Sequence, residues 1–160
     1  MTNRPTDRLP ATGRLAAIDY GRRRIGIAIC DSERIIASPH EVHQPVADPA
    51  VEAAYFVRLV RSEEVVGFVV GLPVHADGNA SRMSAEVERF AAWLRDVTGL
   101  PVVFQDERYS SVEATGMLAR AGMTRGRRKS RTDAVAAQII LTSWLESARD
   151  GRLPPGALDA

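Results

Sequence analysis

Residues 15–30 read LAAIDYGRRRIGIAIC, and this stretch carries the clearest indication of the fold. A short apolar segment ends at Asp19, and a turn with three arginines follows. In the second segment, isoleucines alternate with glycine, alanine and cysteine, which is the period of two expected of a β-strand. We therefore predict strands at 15–19 and 24–30, joined by a turn as an antiparallel pair.

Further along the chain, apolar runs and helical stripes follow one another. A third strand is predicted at 35–38, and Pro39 closes it because proline has no N–H to donate to a ladder. The remaining predicted strands cover 65–70 and 101–105. The predicted helices cover 49–62, the segment between Ser81 and Gly99, 110–121 and 133–147. This order predicts an α/β fold with a mixed five-stranded sheet, three antiparallel strands and then parallel ones, flanked by helices.

The composition favours one globular domain at 15–147. The chain has 160 residues, of which 45% are hydrophobic and 26% charged, as in ordinary globular proteins. Residues 1–14 and 148–160 are predicted to be a flexible polar extension and a flexible tail. No run of apolar side chains exceeds five residues, so no membrane span is expected. Cys30 is the only cysteine, and no secretory signal is seen, so we expect a cytoplasmic protein.

Basic residues are clustered although the net charge is only +1. Six basic residues and no acid lie between Arg120 and Arg131, and we expect this segment to be a loop that binds a polyanion. The arginines at 22–24 form a second cluster, for which a solvated surface is an equally good interpretation. The predicted nucleic-acid-binding residues are Arg22, Arg23, Arg24, Arg108, Arg125, Arg127, Arg128, Lys129 and Arg131.

Three carboxylates stand where predicted strands end or a helix begins. Asp19 ends the first strand, Glu107 follows the last one, and Asp133 begins the last helix. Sites in open α/β sheets lie beyond the carboxyl ends of the strands, so Asp19 and Glu107 are expected to face one cleft. With Asp133, three hard oxygen ligands would suit Mg²⁺ and metal-assisted hydrolysis of phosphodiesters. Because adjacent strand residues point to opposite faces, only one of Asp106 and Glu107 can share this cleft.

Each of these acids also has a purely structural interpretation. Asp19 before Tyr-Gly is a common turn former. Asp133 is favourable at the start of any helix because of the helix dipole. Glu107 can pair with Arg108 on the surface. No histidine is placed to activate a serine or Cys30 as a nucleophile, and the sequence has no phosphate-binding glycine loop.

Four motifs taken together resemble the YqgF/RuvX family, over roughly residues 15–145. They are Asp19-Tyr20-Gly21 with Arg24-Ile25-Gly26-Ile27-Ala28, Gly71-Leu72-Pro73 with Asp77-Gly78, Asp106-Glu107-Arg108-Tyr109-Ser110-Ser111, and Asp133 with Ala136-Ala137 and Ile140-Leu141. The resemblance implies the RNase H-like fold of Holliday-junction resolvases and a nuclease that matures the precursor of 16S ribosomal RNA. The family acids fall on Asp19, Glu107 and Asp133.

Two features depart from the family pattern. Relatives commonly carry lysine in the turn after Asp-x-Gly, where this chain has Arg22 and Arg23. The charge is kept, but the hydrogen-bonding geometry differs. Many RNase H-like nucleases have an acid at the end of the fourth strand, where this chain has Gly71-Leu72-Pro73. Glu107 comes from the next strand, so the sequence does not decide whether the site holds one or two metal ions.

The sequence therefore predicts a Mg²⁺- or Mn²⁺-dependent nuclease of structured nucleic acid, with maturation of the 5′ end of pre-16S ribosomal RNA as the main hypothesis. One alternative is a resolvase of branched DNA, in which a homodimer would supply two sites. A second is a nucleic-acid-binding ribosome-assembly factor without turnover. An actin-like ATPase also opens with Asp-x-Gly, but 160 residues leave no room for its second lobe.

Overall fold

The computed structural model describes residues 8–73, 82–106 and 125–149, and of Arg82 and residues 125–133 it describes the backbone. These residues form five strands and three helices. The strands are β1 (Arg14–Asp19), β2 (Ile25–Cys30), β3 (Ala37–His43), β4 (Val65–Leu72) and β5 (Val102–Asp106), and the helices are α1 (Pro49–Glu63), α2 (Arg82–Thr98) and α3 (Arg125–Arg149). No helix among these residues is long and apolar enough to cross a membrane.

The strands form one mixed sheet in the order β3-β2-β1-β4-β5. Strand β2 pairs antiparallel with both β1 and β3, whereas β1–β4 and β4–β5 are parallel pairs. The predicted mixed five-stranded sheet is confirmed. Because β1, β4 and β5 run in the same direction, their carboxyl ends meet at one edge of the sheet.

The two faces of the sheet are covered by different helices. Helices α1 and α2 cover one face, which we call the α1/α2 face, and α3 covers the other, the α3 face. The predicted alternation in β2 is confirmed, since its isoleucines lie in the α1/α2 core whereas Ala28 and Cys30 lie in the α3 core. Helix α1 begins where the sequence predicts, with Asp48 as N-cap and Pro49 in its first turn.

Strand β3 differs from its prediction at both ends. The Asp31 carboxylate accepts hydrogen bonds from the N–H groups of Ile35 and Ile36, both at 2.8 Å, which holds these residues in a turn before the strand. The strand then continues through Pro39 to His43. Proline is tolerated here because β3 is an edge strand and because its register shifts at this point.

The prediction of a basic loop before a helix at 133 is wrong. Helix α3 already begins at Arg125, eight residues earlier, so Thr132 is inside the helix and does not cap it. Gly126 suggested a loop, but it is the second residue of α3 and so lies in the first turn, and arginine and lysine are good helix formers. The basic residues therefore lie along the first two turns of α3. The helix predicted at 110–121 lies outside the described residues.

The segment before β1 is attached to the domain. Leu9 packs against the α3 core, and the Arg34 side chain donates hydrogen bonds to the carbonyls of Gly13 and Thr12 at 2.8 and 3.1 Å. At the other end, α3 extends to Arg149, slightly beyond its predicted end.

Candidate functional site at the carboxyl edge of the sheet

The central strands bring three residues level with one another at their carboxyl edge. Ile18 of β1 is paired with Val70 of β4, and Gly71 is paired with Gln105 of β5. Asp19 follows Ile18 directly, so Asp19, Gly71 and Gln105 form one row across three neighbouring strands. This register was not predictable from any single strand.

This row faces α3. Ala17, Val69 and Val103 lie in the α3 core, and residues two positions apart on a strand share a face. Asp19, Gly71 and Gln105 therefore lie on the α3 face as well. Because Gly71 has no side chain, the side chains of this row come from Asp19 and Gln105.

Helix α3 carries the second predicted acid on the same side of the sheet. The backbone of Asp133 lies within α3, directly before the buried residues Ala134 and Val135. Asp19 lies in β1 and the backbone of Asp133 lies in α3, and these two elements pack on each other. Glu107, the third predicted acid, and Arg108 lie outside the described residues.

Asp106 lies on the opposite face of β5. It is paired with Leu72, and Phe104, two positions earlier, packs against the α1/α2 core. By the same alternation it does not share the face of Asp19. The expectation that only one of two neighbouring acids faces the cleft thus excludes Asp106.

Gln105 is a polar residue of this edge that the sequence analysis missed. Its Oε1 atom is buried, and in the described structure it has no hydrogen-bond partner. A buried acceptor without a donor costs about 1–3 kcal/mol, so such an atom calls for an explanation. The sequence signal was its spacing of two from buried Val103 at a strand end, but its significance depends on the pairing with Gly71.

The turn after Asp19 is anchored to α2 through Glu86. The Tyr20 hydroxyl donates to Glu86 Oε2 at 2.8 Å, and Arg22 Nε donates to Oε1 at 2.9 Å. The hydrogen bond from Tyr20, followed by that from Arg22, lowers the pKa of Glu86. Burial, reinforced by Glu86, raises the pKa of Tyr20 to about 12. The turn is therefore held in one position next to Asp19.

The predicted cationic residues are only partly described. The Arg22 side chain is 66% exposed, Arg23 is exposed and Arg24 is half-buried. The backbones of Arg125, Arg127, Arg128, Lys129 and Arg131 lie in α3. Both groups belong to elements that flank the edge with Asp19: the first follows β1, and the second lies in the helix that covers this face.

The donors at this edge suit a hard divalent cation in type. A carboxylate from Asp19 and an amide oxygen from Gln105 are ligands that Mg²⁺ accepts. Within the described residues, no three acidic, histidine or cysteine side chains come together as a metal-binding group. A complete set of three carboxylates would need Glu107 and the side chain of Asp133.

Cys30 has the environment of a structural thiol. Its side chain is 2% exposed, and its Sγ accepts a hydrogen bond from the N–H of Leu15 at 3.3 Å. Burial raises the pKa of this thiol, which disfavours the reactive thiolate.

Comparisons with known proteins give one family. The family model described as "RuvX: Holliday junction resolvase" matches residues 13–147. A protein of Rhodopirellula baltica named "Putative pre-16S rRNA nuclease" is 51% identical over 148 residues, which cover 92% of this chain and 85% of that protein. One of the same name from Chromobacterium violaceum is 43% identical over 134 residues, covering 81% and 95% of the two chains.

Solved structures share the fold at low sequence identity. The structure of Thermus thermophilus RuvC in complex with a Holliday junction substrate has a TM-score of 0.57 and 19% identity, and it covers 89% of this chain and 99% of that one. A second structure of Thermus thermophilus RuvC has a TM-score of 0.54 and 16% identity, with the same coverage of both chains. The expected RNase H-like fold is thereby confirmed.

Proposed function

Since the chain belongs to the RuvX Holliday junction resolvase family, we propose that it is a metal-dependent nuclease that hydrolyses phosphodiester bonds in structured nucleic acid. The observation that carries this proposal is the row of Asp19, Gly71 and Gln105 at the carboxyl edge of the sheet. In this row, the Asp19 carboxylate and the Gln105 amide lie on either side of Gly71, on the face of the sheet that α3 covers.

Asp19, Glu107 and Asp133 would hold Mg²⁺ or Mn²⁺ at this edge. When bound, such a cation supplies an activated water and neutralises charge on the phosphate. In support, Asp19 and α3 lie on the same face. The alternation of β5, extended by one residue beyond Asp106, would assign Glu107 to that face as well. Gln105 Oε1 would accept a hydrogen bond from a water of the hydrated cation.

Arginine and lysine side chains on both sides of this edge would hold the phosphates of the substrate. These residues are Arg22, Arg23 and Arg24 in the turn, with Arg108, Arg125, Arg127, Arg128, Lys129 and Arg131. Contacts of this kind fix the position of the nucleic acid without reading its sequence. We therefore expect binding that weakens steeply with salt concentration.

The substrate we propose is precursor 16S ribosomal RNA, cleaved at its 5′ end in the cytoplasm. The names of the relatives from Rhodopirellula baltica and Chromobacterium violaceum support this choice. A second candidate is a four-way DNA junction, which the description of the matching family favours. Because a junction is symmetric, that activity would require a homodimer with two sites.

The test is cleavage of labelled precursor ribosomal RNA and of a labelled DNA four-way junction, each in Mg²⁺, Mn²⁺ and EDTA. Wild type is compared with Asp19→Asn and with Asp106→Asn. The two variants make the same chemical change at the same edge but on opposite faces of the sheet. We expect metal-dependent cleavage that Asp19→Asn abolishes and Asp106→Asn retains.

The substrates and the variants decide between the alternatives. Preferred cleavage of the RNA supports the ribosomal role, and preferred cleavage of the junction supports the resolvase. Tight RNA binding without cleavage in any metal would replace the nuclease by a binding factor. Equal loss of cleavage in both variants would show that the α3 face is not the site.

A further inference from the structure

A cavity of about 240 Å³ lies beside the turn that follows Asp19, on the α1/α2 side of the sheet. Tyr20 and Arg22 belong to this turn, and the opposite walls come from α1, α2 and the segment before α1. The lining residues are Tyr20, Arg22, Ile25, Pro45, Val46, Pro49, Glu52, Phe90 and Trp93. Since drug-sized ligands occupy pockets of about 300–1,000 Å³, this cavity suits a smaller ligand such as a single ring system.

The apolar part of the lining suits a flat ring. The rings of Tyr20 and Phe90 have centroids 4.7 Å apart, and those of Phe90 and Trp93 are 5.9 Å apart. Val46, which is 45% exposed, adds an aliphatic side chain to this lining. Aromatic and aliphatic walls of this kind stack on nucleobases, which are recognised in single strands by such surfaces.

The polar part of the lining comes from Glu52 and Arg22. Both carboxylate oxygens of Glu52 lie 3.0 Å from His43 Nε2, and Oε1 also accepts from the N–H of Val46 at 3.1 Å. These contacts fix the carboxylate in the wall, and a carboxylate can accept about four hydrogen bonds, so acceptor capacity remains. Arg22 adds a largely exposed cation at the rim, where a phosphate would lie.

We propose that this cavity binds one unpaired nucleobase of the nucleic acid substrate, with a preference for bases that carry an exocyclic amino group. The Glu52 carboxylate can accept from the amino group of cytosine, adenine or guanine. Uracil has no amino group, and its N3–H lies between two carbonyl oxygens that a carboxylate repels. Asp19 and Tyr20 are adjacent but face opposite sides of the sheet edge. A strand that crosses this edge can therefore present its phosphate to one side and its base to the other.

The inference rests on the proposed function for the identity of its ligand, and it is tested by binding without cleavage. The protein carries Asp19→Asn so that RNA remains intact. The probes are short single-stranded RNAs with 2-aminopurine at one position, moved along the strand in a series. This base carries an amino group, and its fluorescence is quenched when it stacks on an aromatic ring.

Two added substitutions provide a matched pair. Val46→Phe fills the cavity, whereas Val51→Phe makes the same change at a residue that is 53% exposed in α1 and does not line it. We expect quenching at one preferred position, lost in Val46→Phe and retained in Val51→Phe. Affinity is expected to fall about 5- to 150-fold in Val46→Phe, the range for losing one stacked base. Thermal unfolding of both variants verifies that they are folded.

Two further binding experiments identify the ligand. An oligocytidine is expected to compete for the cavity better than an oligouridine. One contrary result is that the fluorescence of free 2-aminopurine nucleoside monophosphate is quenched while no 2-aminopurine within RNA is quenched. That result would overturn binding of a base within RNA and would assign the cavity to a free nucleotide. Equal quenching in Val46→Phe and Val51→Phe would overturn the base site altogether.

The result is separable from the nuclease proposal. If wild type cleaves RNA but Val46→Phe changes neither affinity nor quenching, the base site is overturned and the nuclease stands. If quenching depends on Val46 but no substrate is cleaved in any metal, the nuclease is overturned and the base site stands. Absence of binding both to RNA and to the DNA four-way junction overturns both.

Discussion

The two faces of the sheet are filled with side chains of different size. On the α1/α2 face, Ile18, Ile27 and Phe68 are fully buried against the aromatic and aliphatic side chains of two helices. On the α3 face, Ala17 and Ala28 are fully buried in the core that α3 covers. Small side chains allow a helix backbone to approach a sheet closely. The polar row at the strand ends faces this side, so the candidate site lies on the face with the smaller side chains.

The largest effect on stability is expected from the α1/α2 face. Phe68→Ala removes a fully buried ring and is expected to lower the free energy of unfolding by about 3–5 kcal/mol, measured by urea denaturation. Val69→Ala, the neighbouring residue on the α3 face, removes fewer atoms and is expected to cost less. An equal or greater cost for Val69→Ala would contradict the assignment of the larger packing contribution to the α1/α2 face.

Enlarging a side chain tests the α3 face. Ala28→Leu adds atoms between the sheet and α3 and is expected to lower the free energy of unfolding by about 1–3 kcal/mol. The control is Ile27→Leu on the opposite face, a change of shape at constant volume, which is expected to cost less than about 1.5 kcal/mol. If Ala28→Leu were neutral, α3 would not pack closely on the small residues.

Substitution of Gln105 distinguishes a role at the candidate metal site from a role in packing. Gln105→Leu removes the buried Oε1 atom, which has no hydrogen-bond partner in the described structure, so the free energy of unfolding is expected to stay the same or rise. Affinity for Mn²⁺, measured by titration calorimetry, is expected to fall about 10- to 100-fold, as for groups that support metal ligands.

The matched control for Gln105 is Gln138 on α3, whose Nε2 donates to the carbonyl of Ala37 at 3.0 Å. Gln138→Leu removes a hydrogen bond and is expected to cost about 0.5–1.5 kcal/mol of stability without changing Mn²⁺ affinity. The opposite pattern, with stability lost in Gln105→Leu and metal affinity unchanged, would remove Gln105 from the site.

The smallest effect is expected at the other end of the sheet, in the turn after β2. Hydrogen bonds from the N–H groups of Ile36 and Ile35 lower the pKa of Asp31. The ionised carboxylate therefore stabilises the fold above its ordinary pKa of about 3.9, and this contribution is lost as the pH falls through the lower pKa of the folded state. Asp31→Asn should be less stable than wild type at neutral pH and equal to it in strong acid. A difference in stability that is independent of pH would refute this role.

The sequence predicted the features that depend on one segment at a time. The alternation in residues 24–30 identified both faces of β2, and Pro49 identified the start of α1. Prediction from the sequence failed where contacts with another part of the chain determine the local structure. Pro39 is accommodated because β3 is an edge strand with a shifted register, and residues 125–132 are helical although glycine and a cluster of like charges suggested a loop.

The candidate site was predictable to a similar extent. Asp19 was identified because a carboxylate directly after a buried strand is conspicuous in a sequence. Gln105 was not, because its importance comes from the pairing of β4 with β5, which sets it opposite Gly71. The assignments of Glu107 and Asp133 as metal ligands stay predictions.

The burial of Cys30 has a practical consequence for experiments on this protein. The only thiol of the chain is covered by α3 and bonded to the N–H of Leu15, so it is protected from maleimide reagents in the folded state. A cysteine introduced at the exposed Arg23 or Val51 would be labelled alone, without removing the native residue. A pair of such labels would report the distance between the turn and α1 in solution, before and after nucleic acid is added.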